Sequence, residues 1–262
     1  MTDMSLPAGR FAESDFGVGG VFSRAWSVFS RNFMTFVLVT GIAGLPSFLI
    51  EQAAPDTLGN PYADMGMALF ATILMIGLWT LSQAIVLYGA FQVMRGRSID
   101  LAESARIGWR RVFSLLGLAI SVPVLCFLAA LLFLVPGVIL YLTWFVATPV
   151  CVVEQLGVFR SMGRSAELTK GYCWRILGLQ LAILIPAAIV GSIASAVASS
   201  IPGASGVLAL STTLDTTLGH IVNLIWNSIW TAFYAIVIVV TYHDLRVAKE
   251  GVDTEQIAAV FE

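Results

Sequence analysis

Few residues in this 262-residue chain could do chemistry. It has two histidines, His220 and His243, three cysteines, and 16 acidic against 14 basic side chains. A two-histidine metal site needs both imidazoles on one ion. The span assignment below puts these two on opposite membrane faces. No glycine-rich phosphate loop, nucleophile elbow or H-E-x-x-H helix occurs. Cys126, Cys151 and Cys173 are odd in number and read as small apolar filler, with no structural disulfide expected. No catalytic residue, metal or cofactor is expected, and the chain is not expected to be an enzyme.

Two polar constellations remain. His220, Asn223, Asn227, Thr231 and Tyr234 recur at helical spacing. Together they could form a polar groove admitting a lipid head group. Such residues also serve as interhelical hydrogen-bond partners in bilayers, which is the more frequent case. Thr72, Thr80, Ser82, Gln83 and Gln180 could face them. The second constellation is basic. Arg24, Arg31, Arg106, Arg110, Arg111 and Lys170 sit where they could meet anionic head groups. Arg164, Arg175 and Asp244 lie near the same boundary, and Asp244 is expected to pair with Arg175 or Arg164.

The elements that position these residues follow from composition. Hydrophobic residues make up 58% of the chain and charged residues 11%, against about 25% charged in an average soluble domain. So little polar surface excludes a soluble globule of this length. Charge-free gaps long enough for about 20 apolar residues each give a crossing. Six are expected: 33–50, 68–93, 112–133, 137–153, 176–199 and 219–242. Pro136-Gly137 divides the third from the fourth. The fold class is an all-α polytopic membrane domain over 16–246, with polar tails at 1–15 and 247–262. No signal peptide or lipidation motif is expected at the N-terminus.

All 14 basic residues fall on one side of this arrangement. The opposite loops carry only Glu51, Asp56, Asp64 and Asp215. The positive-inside rule then places both termini on the cytoplasmic side. The spans themselves carry no charge, which argues against an ion-coupled pump.

Three cytoplasmic segments show helical amphipathicity. In the first, Val18, Val21, Phe22, Ala25, Phe29 and Phe33 share a face. In the second, Leu101, Ala102, Ala105, Trp109 and Val112 do so, with Ser98 as the expected cap. In the third, Val158, Phe159, Met162 and Ala166 share a face and Gly171 is the expected stop. Each segment leads into a span containing a proline: Pro46, Pro123 or Pro186. The unit of interfacial helix plus hairpin is therefore expected three times. The helices are either interfacial anchors or braces beneath the bundle.

The junction Gly157, Arg164-Ser165, Leu168, Lys170-Gly171 and Trp174, with the terminal Tyr242-His243-Asp244-Leu245-Arg246 and Lys249-Glu250-Gly251-Val252-Asp253, resembles a broad family of bacterial six-span proteins. That family includes the membrane domain found ahead of the catalytic barrel in some glycerophosphodiester phosphodiesterases. The resemblance covers most of the chain, most strongly at 143–178 and 242–255. It implies a membrane domain without the barrel, and no enzymatic activity. The expected function is structural, scaffolding or lipid-contacting. The alternatives are a permease-like component for a lipid or amphiphile, and a lipid-modifying enzyme. Membrane lipids, anionic ones especially, are the expected partners, and nucleic acid is not.

Overall fold

The computed structural model describes residues 17–53, 61–200 and 209–250, with most side chains of 47–71, 191–200 and 209–223 left out. Every regular element among the described residues is helical. Helix α1, Val18–Arg31, ends at Asn32, and α2, Phe33–Ala53, leaves it at an 83° bend. Helix α3, Pro61–Met94, turns through Gly96 at φ 72° into α4, Leu101–Leu132. Glycine suits that turn because it has no Cβ to clash at positive φ. Asp100 caps α4 by accepting the Glu103 N–H at 3.0 Å. The expected cap, Ser98, is therefore displaced by two residues. Asp100 wins because its own N–H donates to the Gln92 side chain at 2.9 Å, while Gln92 also donates to Glu103.

Two expected boundaries differ from the structure. The second amphipathic segment and the third expected span form one continuous helix, α4, because no cap or proline separates Trp109 from Phe113. The fourth expected span falls within Leu134–Val153, a stretch long and apolar enough to cross, but it is built of two helices, α5, Leu134–Thr143, and α6, Ala147–Val153. Their break frees the Thr143 carbonyl, which accepts Ser165 Oγ–H at 2.8 Å and Thr169 Oγ1–H at 3.0 Å. Both hydroxyls belong to α7, Val158–Thr169. A freed backbone carbonyl in a buried setting must find a donor, and α7 supplies two.

Gly171, at φ 91°, lies in the turn just past α7, where the expected stop was placed. Helix α8 then runs Cys173–Ser200 and α9 runs Ala209–Glu250. Pro46, Pro123 and Pro186 lie inside α2, α4 and α8. Five stretches are long and apolar enough to cross a membrane: Thr72–Met94, Leu101–Leu132, Leu134–Val153, Cys173–Val190 and Leu224–Glu250. The bent α1–α2 pair would make a sixth.

The core gathers on α9, where Ala232, Ala235, Ile236, Val239, Val240, Tyr242 and Leu245 are buried. Thr40 on α2 donates across to the Ser228 carbonyl at 2.9 Å, tying α2 to α9. A smaller cluster joins Ala84, Leu115, Leu118, Ala147, Cys151, Val152 and Met162.

Helix α1 buries most of the face the sequence marks as apolar, whereas the start of α4 and helix α7 do not. The start of α4 buries Ser104 and Gly108, leaving Trp109 outside. A Cβ on Gly108 would lie 3.2 Å from the Ala84 methyl, so close approach of α3 selects small residues here. Helix α7 buries Ser161, Met162, Ser165, Leu168 and Thr169, and turns Phe159 out. Its hydroxyls face inward because the Thr143 carbonyl lies there. Helix α1 buries Val21, Ala25, Val28 and Phe29, with Phe22 and Trp26 outside.

Candidate functional site

The charged residues converge at the basic end of the bundle. Glu154 follows α6, Arg164 sits mid-α7, and Tyr242, Arg246 and Glu250 recur every four residues along α9. That spacing puts the last three on one helix face. Tyr242 Oη–H donates to Glu154 at 2.9 Å. Arg164 Nε–H donates to Glu154 at 3.2 Å, and its Nη2–H donates to Glu250. Arg246 Nε–H donates to Glu250 at 2.8 Å, and its Nη1–H reaches Tyr242 Oη at 3.5 Å. The five side chains close a ring with two cations and two carboxylates. Burial pulls the Arg164 guanidinium down in pKa, but Glu250 and Glu154 outweigh this and hold it above its usual value.

Beside the ring, Asp244 is buried and accepts from Arg24 of α1. His243 Nδ1 is 3.6 Å from the other Asp244 oxygen, too long for a hydrogen bond. This corrects the expected pairing. Among the ion pairs of Asp244, neither Arg175 nor Arg164 appears. Arg164 is held by Glu154, Glu167 and Glu250. Arg175 lies 5.7 Å from the Tyr172 ring centre, which Lys249 also approaches at 6.0 Å. Helix α1 displaces Arg175 because its aromatic edge packs along α9. Phe22 and Phe29 each lie 5.6 Å from the Phe233 ring centre, which brings Arg24 within reach of Asp244.

Of the expected polar stripe, the side chains of His220 and Asn223 lie outside the described residues, Asn227 is exposed and Thr231 half-buried. Tyr234 joins a cluster that the stripe alone did not reveal. Its hydroxyl meets Tyr141 Oη at 3.1 Å and Gln180 Nε2 at 2.9 Å, and Gln180 also reaches Tyr141 at 3.1 Å. These three groups satisfy one another across α5, α8 and α9, as polar residues commonly do between helices in bilayers.

The expected head-group residues spread around the basic end. Arg31, Arg106, Arg110 and Lys170 are exposed. Arg111 is half-buried and donates to Gln155 at 3.3 Å, while Arg24 is committed to Asp244. Beside these cations stand exposed aromatics: Trp26 at 57%, Trp109 at 69% and Trp174 at 85%. Sequence reasoning missed Tyr242 and Arg246 as ring members. The available signal was their four-residue spacing to Glu250. Among the described residues, no group of three His, Cys, Asp or Glu side chains is placed to hold a metal ion.

The arrangement can neutralise charge internally and present aromatic and cationic side chains outward. Compared with protein-family models, curated proteins and solved structures, the chain matches none.

Proposed function

We propose that this is a bacterial inner-membrane protein, with both termini cytoplasmic, that seats its basic end on anionic phospholipid in a scaffolding role. The observation that carries the reading is that each boundary segment turns an aromatic ring outward. Trp26, Trp109 and Phe159 face outward while Ala25, Gly108, Ser161 and Ser165 face inward. In water, that arrangement would forfeit apolar burial. Aromatic rings flanked by arginine suit the membrane–water interface, where ring and head group are both served.

The one-sided basic residues support the cytoplasmic orientation, and the resemblance to six-span bacterial membrane domains fits the same reading. So does the repeat of an amphipathic segment ahead of a proline-containing helix. Orientation does not depend on how deeply the central hairpin enters, because a hairpin returns the chain to its starting side.

The test is a lipid titration on delipidated protein in neutral detergent. Phosphatidylglycerol should raise the unfolding temperature more than phosphatidylcholine at equal mole ratio. The triple variant Arg106→Gln, Arg110→Gln, Arg111→Gln should lose part of that difference. Equal stabilisation by both lipids would defeat the proposal.

A further inference from the structure

We infer that the α4–α5 hairpin is re-entrant: it dips into the bilayer from the basic side, and its turn ends among the acyl chains. The turn is unusually short. Leu132 closes α4, Phe133 is the single extended residue, and Leu134 opens α5. A Cβ on Gly137 would lie 2.6 Å from the Ala130 methyl carbon, so the two arms touch at their backbones.

Both arms return to one reference. On α4, Ser121 Oγ–H reaches Met162 Sδ of α7 at 4.0 Å. On α5, the Thr143 carbonyl accepts from Ser165 and Thr169 of the same helix. From Ser121 to Leu132, and from Thr143 back to Leu134, is about 14–17 Å each at 1.5 Å per residue. The opposite face of α7 carries Arg160, Glu167 and Lys170, all exposed. Such a face needs water or head groups. Beyond α7 the hairpin therefore has only about half the roughly 30 Å that a crossing requires.

The turn also lacks any group for an aqueous surface. From Val122 to Leu140 there is no charged, amide or hydroxyl side chain. Leu131, Leu132, Phe133, Leu134 and Val135 are each at least 66% exposed. A turn delivered to the far surface would hold these five residues in head groups or water. A turn left in hydrocarbon satisfies them, and its backbone stays paired, since the Phe133 N–H donates to the Ala129 carbonyl at 3.0 Å. The occupant of this surface is therefore lipid acyl chain.

The proposal rests on the membrane reading above and is tested separately from it. Nitroxide labels would be placed singly at Val124, Leu128, Phe133 and Ile139, with Cys126, Cys151 and Cys173 changed to Ala. The protein would be reconstituted in phosphatidylcholine–phosphatidylglycerol vesicles. Collisions with oxygen and with a water-soluble nickel chelate give the depth of each label. The deepest position should be Phe133, with Val124 and Ile139 shallower. A full crossing reverses that order, putting Leu128 deepest and Phe133 near the surface, and overturns the inference. Shielding of Phe133 from both reagents would mean protein covers it and would also overturn it. A second variant avoids the cysteine changes. Phe133→Asp in the native chain should cut membrane-inserted yield roughly tenfold or more, as for a carboxylate placed in hydrocarbon, and unchanged yield would count against a buried turn. Failure here leaves the lipid titration unaffected, so the two readings fail independently.

Discussion

Asp244 shows how a single carboxylate ties distant segments together. Its partner, Arg24, is 220 residues away in sequence. Asp244 is buried, so the pair should exceed the 0–1 kcal/mol typical of exposed pairs. In a double-mutant cycle, Arg24→Ala and Asp244→Ala should show a coupling of about 1–3 kcal/mol, read as unfolding in detergent. Arg175→Ala and Asp244→Ala should instead be additive. The reverse result would restore the pairing that the sequence suggests. That Asp244 needed a cation was legible from its place after a charge-free span. Which cation was not legible, because the choice depends on α1 folding back onto Phe233, and neither hydropathy nor spacing encodes that contact.

Among elements, glycines report where helices touch. Gly137 meets the Ala130 backbone, whereas a Cβ at Gly163 on α7 finds nothing within 4 Å. Gly137→Ala should destabilise by about 1–3 kcal/mol through overpacking. Gly163→Ala should be neutral or stabilising by up to about 1 kcal/mol, because alanine is the better helix former. Thermal unfolding of the two variants side by side checks both, and equal effects would mean the hairpin arms are not in contact. The long helices and the Gly171 stop were legible, since charge-free length and a glycine after a basic residue are strong local signals. The break after Thr143 was not. Thr143-Trp144-Phe145-Val146 carries no glycine or proline. The break is maintained by hydroxyls some 20 residues later, on a helix whose buried face looks polar in isolation.

For the molecule as a whole, charge placement carries the expected sidedness, because the positive-inside rule needs no reference to packing. Cysteines at Thr57, outside the described residues, and at Thr213, whose side chain is left out, should react with a membrane-impermeant maleimide added to intact cells. One at the exposed Ser98 should not, and labelling at Ser98 would invert the orientation. Hairpin depth is less legible than stretches long and apolar enough to cross. Hydropathy measures how apolar a stretch is, whereas the depth of a hairpin depends on where its arms meet a charged helix.

The stretch from Val122 to Leu140 has a consequence for biogenesis. In the proposed orientation, the segments carrying Glu51, Asp56, Asp64 and Asp215 must be moved through the bilayer, each with charged groups to dehydrate on the way. The central hairpin has no such cargo. Its insertion requires no translocation of a polar segment, so it can partition directly from the side on which the chain is synthesised, at any time after Tyr141 has emerged. On that orientation, assembly separates into two kinds of event: outer segments that depend on the translocation machinery, and a central hairpin whose entry is set by its own hydrophobicity.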